Sequence, residues 1–74
     1  MLEQLKEFIK NYVEVEENEI VPEARFSEDL GFNSYDFMCM LGDIEDELDI
    51  EIEEEKASQN RTVAELITYL EACE

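Results

Sequence analysis

Apolar residues recur at helical spacing in three parts of this chain, and the period fails between them. In the first part Leu2, Leu5, Phe8, Ile9, Tyr12 and Val13 step by threes and fours, while Glu3, Lys6, Glu7 and Lys10 fall mostly off that face. The spacing predicts a helix over residues 2–15. In the second, Phe37, Leu41, Ile44 and Leu48 form an i, i+4, i+7, i+11 stripe, which predicts a helix over 34–48 with Asn33 as its N-cap. Behind that stripe lie Asp36, Asp43, Glu45, Asp46 and Glu47, and no base occurs from Asp36 to Glu55. In the third, Val63, Leu66, Ile67, Leu70 and Cys73 define a last helix, opened by Thr62 and Glu65 at capping-box spacing.

The stretches between are less regular. Ile50-Glu51-Ile52 reads as extended, and residues 53–59 as one short helical turn whose Glu53-Glu54-Glu55 start suits the helix dipole. Residues 16–33 contain Pro22, Gly31 and no sustained period, yet Ile20, Val21, Ala24, Phe26, Leu30 and Phe32 are spread through them. A connection of that length in a compact domain is expected to be functional or packed by its own side chains. Phe26 and Leu30 are expected to pin it to the core. Gly42 should cost the second helix about 1 kcal/mol relative to alanine and is expected to leave room for a close neighbour. The sum is an all-α fold: a small antiparallel four-helix bundle of three longer helices and one short one, with a long first loop, as one domain over residues 1–74.

Composition narrows the chemistry. Seventy-four residues, 45% of them apolar, suffice for a small core and not for a deep enzyme site. The 22 acids against 5 bases give a formal net charge of −17. That field repels nucleic acid and anionic membranes, and it attracts proteins with basic patches. No apolar run approaches a membrane span, and Met1-Leu2-Glu3-Gln4-Leu5-Lys6 lacks a signal-peptide core, so a cytoplasmic protein is expected; a monomer is expected as well. Cys39 and Cys73 match no metal motif and read as free thiols. Histidine is absent, which removes the commonest general base and the commonest neutral metal ligand. The acids of 43–47 lack the alternating order and sixth-position glycine of a calcium loop. Neither a catalytic residue nor a metal site is assigned.

The residue with a chemical reading is Ser34. It stands where the polar loop gives way to the acidic helix, and a hydroxyl on a first helical turn lies beside unpaired backbone N–H groups at the positive end of the dipole. A phosphate ester is favoured there, so Ser34 reads as an attachment point and not as a nucleophile.

Phe26-Ser27-Glu28-Asp29-Leu30-Gly31 before this serine, Asp36 after it, the acidic helix ending Glu45-Asp46-Glu47-Leu48-Asp49-Ile50-Glu51-Ile52 and the Thr62-Val63 start of the last helix form an ordered set. Together they resemble the acyl carrier proteins of fatty-acid and polyketide synthesis and, more broadly, the phosphopantetheine-carrying domains, over nearly the whole chain. The resemblance implies that a phosphopantetheinyl transferase moves 4′-phosphopantetheine from coenzyme A onto Ser34. The arm's thiol then carries acyl groups while the carrier itself catalyses nothing. It implies a docking face for acyl-transfer and chain-elongation enzymes with basic patches, on Asn33, Tyr35, Asp36, Cys39, Met40, Asp43, Glu45, Asp46 and Glu47. It also implies an acyl cavity between the second and last helices, with Phe37, Met38, Leu41, Ile44 and Leu66 near it.

The sequence departs from the family pattern at Asn33-Ser34-Tyr35, where Asp-Ser-Leu is common, and also at Cys39, Gly42 and Asn60. Together they point to a divergent or pathway-specific carrier, and Asn33 and Tyr35 keep a second reading open, an unmodified acidic interaction module that retains the fold. Self-repulsion of the −17 charge should yield to screening under either reading, so the melting temperature is expected to rise as salt is added from low ionic strength. A thermal melt in a salt series checks this, and a flat series would refute it.

Overall fold

Where the apolar period is strong, helices form. A computed structural model describes residues 2–73, which hold α1 (Leu2–Lys10), a 3-10 turn (Glu17–Glu19), α2 (Ser34–Leu48), α3 (Glu54–Ala57) and α4 (Val63–Cys73). There is no strand among these residues, and the architecture is a small helical bundle. One core runs through it. Leu5 and Ile9 enter from α1, Phe37, Met40, Leu41 and Ile44 from α2, Ala57 from α3, and Val63, Leu66 and Leu70 from α4.

Three boundaries or packing expectations change. The first helix stops at Lys10 and not near residue 15, because the Asn11 and Tyr12 amides bond three residues back, to Phe8 O (3.2 Å) and Ile9 O (3.1 Å), which tightens and ends the turn. Asn11 and the β-branched Val13 and Val15 are weak helix formers. Tyr12 and Val13 remain half-buried against the core from that turn. On α2 the buried seam is Phe37, Met40, Leu41 and Ile44, with Leu48 only half-buried. Gly42 is exposed, and a Cβ built on it meets no atom within 4 Å, so it makes no room for a neighbour inside the fold.

The long connection is packed by its own side chains. Ile20, Ala24, Phe26, Leu30 and Phe32 are all buried, as Phe26 and Leu30 were expected to be. Backbone bonds sew it to the start of α4: Phe26 N–H donates to Arg61 O (3.0 Å), Val63 N–H to Ala24 O (3.0 Å) and Ala64 N–H to Pro22 O (2.9 Å). The first two of these pairs flank an isolated antiparallel bridge between Arg25 and Thr62.

At the far end of α2, Asp49 takes a left-handed conformation (φ 53°, ψ 51°) and its N–H bonds to Glu45 O, ending the helix where glycine is commoner. The α1 turn is tied to α2 by the Tyr12 hydroxyl, which donates to the Asp43 carboxylate. That bond, reinforced by burial and by the Asp43 charge, pushes the Tyr12 phenol up to about 12.

Two consequences are measurable. Replacing Gly42 with alanine adds helix propensity at no steric cost and should raise stability by about 1 kcal/mol, whereas Gly31→Ala, at φ +80°, should lower it. Paired denaturant melts test both signs. Tyr12 favours its protonated form in the fold, so its contribution is whole below the ordinary tyrosine value of 10.0 and is lost as pH climbs toward about 12. Tyr12→Phe should therefore be less stable at neutral pH, by about 1 kcal/mol, and should lose less stability than the wild type across that alkaline window. Parallel stability curves for the two proteins would show that folding does not shift the phenol's titration.

Candidate functional site

Ser34 is placed by the turn that precedes it. The Asp29 carboxylate accepts the Arg25 N–H (2.8 Å), and the Asp29 and Leu30 amides donate back to Arg25 O (2.9 and 3.1 Å), closing a compact loop. Leu30 is its buried anchor, and Gly31 supplies the positive φ (80°) that reverses the chain. Phe32 N–H then returns to Phe26 O (2.8 Å). The Asp29 carboxyl is held below its ordinary range by the Arg25 backbone N–H first, and by the Arg25 charge and side chain besides. Thus the Asp-Leu-Gly run acts as a scaffold that delivers the chain to the start of α2.

At that start the capping work falls to Asn33. Its Oδ1 accepts the Asp36 N–H at 2.7 Å, with Asn33 itself in extended geometry. Ser34 is the first residue of the helix and is exposed. Its hydroxyl is therefore not the cap, and the residue is part of the lining of an open pocket of about 590 Å³.

The pocket has two unlike walls. Phe26, Phe32, Phe37 and Met38 form an apolar side, and Ser58, Gln59, Asn60 and Arg61, from the α3–α4 connection, form a polar one. The apolar side is stiffened by aromatic packing: Phe26 lies 5.0 Å from Phe37 and 5.7 Å from Phe32, and Phe32 meets Phe37 edge-on at 6.4 Å. The polar side is fixed through the α4 cap. Glu65 accepts the Arg61 and Thr62 amides (2.7 and 3.1 Å), and Thr62 Oγ1 accepts the Glu65 N–H (3.2 Å). Those donors, Arg61 first, hold the Glu65 carboxyl below its usual range.

Among the acyl-cavity candidates, Phe37 and Met38 line this pocket, while Leu41, Ile44 and Leu66 sit in the core away from it. The docking candidates divide by exposure. Asn33, Tyr35, Asp43, Asp46 and Glu47 are exposed, and Tyr35, at 75%, is the most exposed large apolar side chain among the described residues. Asp36 and Cys39 are half-buried, and Cys39 and Cys73 are both free.

Two assignments to the docking face are corrected. Met40 is fully buried, because 37, 40, 41 and 44 share the seam that meets the core. Glu45 is half-buried, and its carboxylate accepts the Ile52 N–H at 2.9 Å, bracing the chain that leaves α2. Asp43 keeps its exposed position while also accepting the Tyr12 hydroxyl, a bond that the placement of Tyr12 on the apolar face of α1 had not suggested. The basic and polar pocket residues, Arg25 and residues 58–61, were likewise missed. The substitution at Asn60 was the one sequence signal pointing to that region.

This arrangement can bear a substituent. The hydroxyl of Ser34 is free of capping duty, reachable from solvent, and flanked by a concavity with an apolar and a hydrogen-bonding side. The residues fit a phosphodiester-linked arm on Ser34. No described helix is long and apolar enough to cross a membrane, and the described residues hold no cluster of three or more metal-ligating side chains. The sequence matches the family described as phosphopantetheine attachment site over residues 3–70. Proteins of that family carry a covalently attached 4′-phosphopantetheine and meet transferases and synthase enzymes. With the match spanning almost all of α1 through α4, the chain belongs to the phosphopantetheine-attachment-site family of carrier domains.

Proposed function

We propose that this chain is an acyl carrier protein acting in fatty-acid or polyketide-type synthesis in the cytoplasm, as one domain and as a monomer, with Ser34 bearing the 4′-phosphopantetheine. The observation that carries the proposal is the division of labour at the start of α2. Asn33 caps the helix, and Ser34, next to it, is left exposed in the lining of a pocket. On loading, a phosphopantetheinyl transferase joins Ser34 Oγ to the arm's phosphorus, the pyrophosphate bond of coenzyme A breaks, the nucleotide half leaves and the serine proton is taken up by the transferase or solvent. The bound group supplies a thiol on which acyl units are held as thioesters.

What this chain's residues contribute is placement and docking. Tethering raises the concentration of a cargo at each partner enzyme without any new contact. Exposed Asp43, Asp46 and Glu47 on α2, with Asn33, Tyr35, Asp36 and Cys39 beside them, present a one-sided acidic face to transferases and to acyl-transfer and chain-elongation enzymes. Such a field speeds encounter with basic patches and disfavours acidic partners. Tyr35 adds an aromatic anchor where the family pattern has an aliphatic residue, which fits a partner with a pocket beside its basic patch.

The test is intact mass after incubation with coenzyme A and a broad-specificity phosphopantetheinyl transferase. A single phosphopantetheine adduct on the wild type and none on Ser34→Ala is the expected result. An adduct on the Ser34→Ala protein would move the site elsewhere. A wild type that stays unmodified, both here and when isolated from its native host, would replace the carrier reading with that of a cofactor-free interaction module.

A further inference from the structure

Basic residues are scarce here, and nearly all of them are spent. Lys6 pairs with Glu3 (3.3 Å), Lys10 with Glu17 (3.8 Å), Lys56 with Glu53 (3.3 Å), and Arg25 with Glu28 (2.9 Å) and Asp29 (3.5 Å). Arg61 is the exception: it has no ion-pair partner within 4.0 Å among the described residues, in a chain with 22 acids. Its place is the pocket that Ser34 also lines.

The root of Arg61 is held on both sides. Its carbonyl accepts the Phe26 N–H (3.0 Å) and its own N–H donates to Glu65 (2.7 Å), so the backbone there is fixed to the long connection and to the α4 cap. The Glu65 carboxylate, which lies within the field of the Arg61 charge, is itself engaged by the Arg61 and Thr62 amides. The pocket's charged lining residues are Arg25, Glu28 and Arg61, and the first two neutralise one another at 2.9 Å. One guanidinium with no ion-pair partner therefore lines the pocket shared with the one serine read as an attachment point, on a molecule of net charge −17.

Resting on the carrier reading, we infer that Arg61 is a positioning residue for the modified form: its guanidinium receives the anionic phosphodiester formed on Ser34 and lays the first part of the arm across the pocket. Guanidinium and phosphate oxygens form charge-assisted hydrogen bonds, and Arg61 has its donors uncommitted to any ion pair. The arm's amides then face the polar wall at Ser58, Gln59 and Asn60, and its methyl-bearing segment faces Phe37 and Met38. Because Arg61 is exposed, the contact is screened by water and is a bias on where the arm rests, not a lock. A carrier must hand its cargo over, and a weak seat permits that.

The experiment compares loaded wild type, Arg61→Gln and Arg61→Lys, each first verified by intact mass. The readouts are proton–proton contacts from the arm's methyl groups to Met38 and Phe37, the amide shifts of residues 58–60 on loading, and the phosphorus resonance across a salt series. The wild type is expected to show all three signals and to lose them as salt rises. Arg61→Gln should weaken the methyl contacts about two- to fivefold with a flat salt response, and Arg61→Lys should recover part of the effect. Unchanged amide spectra far from the pocket, and an unchanged melting temperature, would separate this from a folding defect. A loaded wild type whose arm touches nothing at 58–60, or an Arg61→Gln protein indistinguishable from it, would overturn the seat and leave the carrier reading intact. Absence of any adduct on all three proteins, together with an unmodified wild type from the native host, would overturn both.

Discussion

The geometry of this molecule depends on how residues 16–33 are fastened. A connection that long would ordinarily lose more in conformational entropy than it gains in contacts, unless it builds its own core. Here Ile20, Ala24, Phe26, Leu30 and Phe32 are buried, and three backbone hydrogen bonds join it to the first turn of α4. The start of α2 is thereby fixed relative to α4, though the two are far apart in sequence. The Asp29 turn, the Gly31 reversal and the Asn33 cap then follow in order, each needing the one before it. Ser34 is presented at a rigid corner, although the chain leading to it carries no regular helix beyond one 3-10 turn.

Charge is the second constraint, and the fold uses several of its acids as local hydrogen-bond acceptors. Asp29 closes the turn before the serine, Glu65 caps α4, Glu45 braces the Ile52 amide and Asp43 holds the Tyr12 hydroxyl. A carboxylate accepting backbone N–H groups is stabilised in its charged form. For Asp29 and Glu65 the folded value lies below the unfolded one, so each contributes above its ordinary range and loses that contribution as pH falls through its folded value. Relief of the −17 repulsion works in the opposite direction as the remaining acids protonate. The acids in the scaffold and the acids at the surface thus set opposing slopes on the acid side.

Much of this was legible in the pattern of residues. The bounds of α2, the capping box at Thr62 and Glu65, the short turn before α4 and the burial of Phe26 and Leu30 all follow from periodicity and cap chemistry, which are local rules. What escaped was decided by tertiary geometry. A helical period cannot show that α1 tightens after Lys10, or which of Met40 and Leu48 lies deeper, since both sit within the width of one apolar face. Nor can it reveal that Glu45 bends back to a backbone amide seven residues on. Gly42 looked like a packing glycine and is an exposed one.

The pocket beside Ser34 illustrates the same limit at the site. Its walls come from the long connection, from the first turn of α2 and from the α3–α4 loop, three segments that no spacing rule relates. The substitutions that distinguish this chain fall around that site and along the outer face of α2: Asn33 and Tyr35 beside the serine, Cys39 and Gly42 along α2, Asn60 on the polar wall. None of them disturbs the buried seam of Phe37, Met40, Leu41 and Ile44. Cores tolerate change poorly because each methylene is packed, whereas exposed positions are free to vary with whatever they meet. The departures therefore lie around the proposed attachment serine and on the face of α2 proposed to meet partners, while the buried seam that positions both is kept.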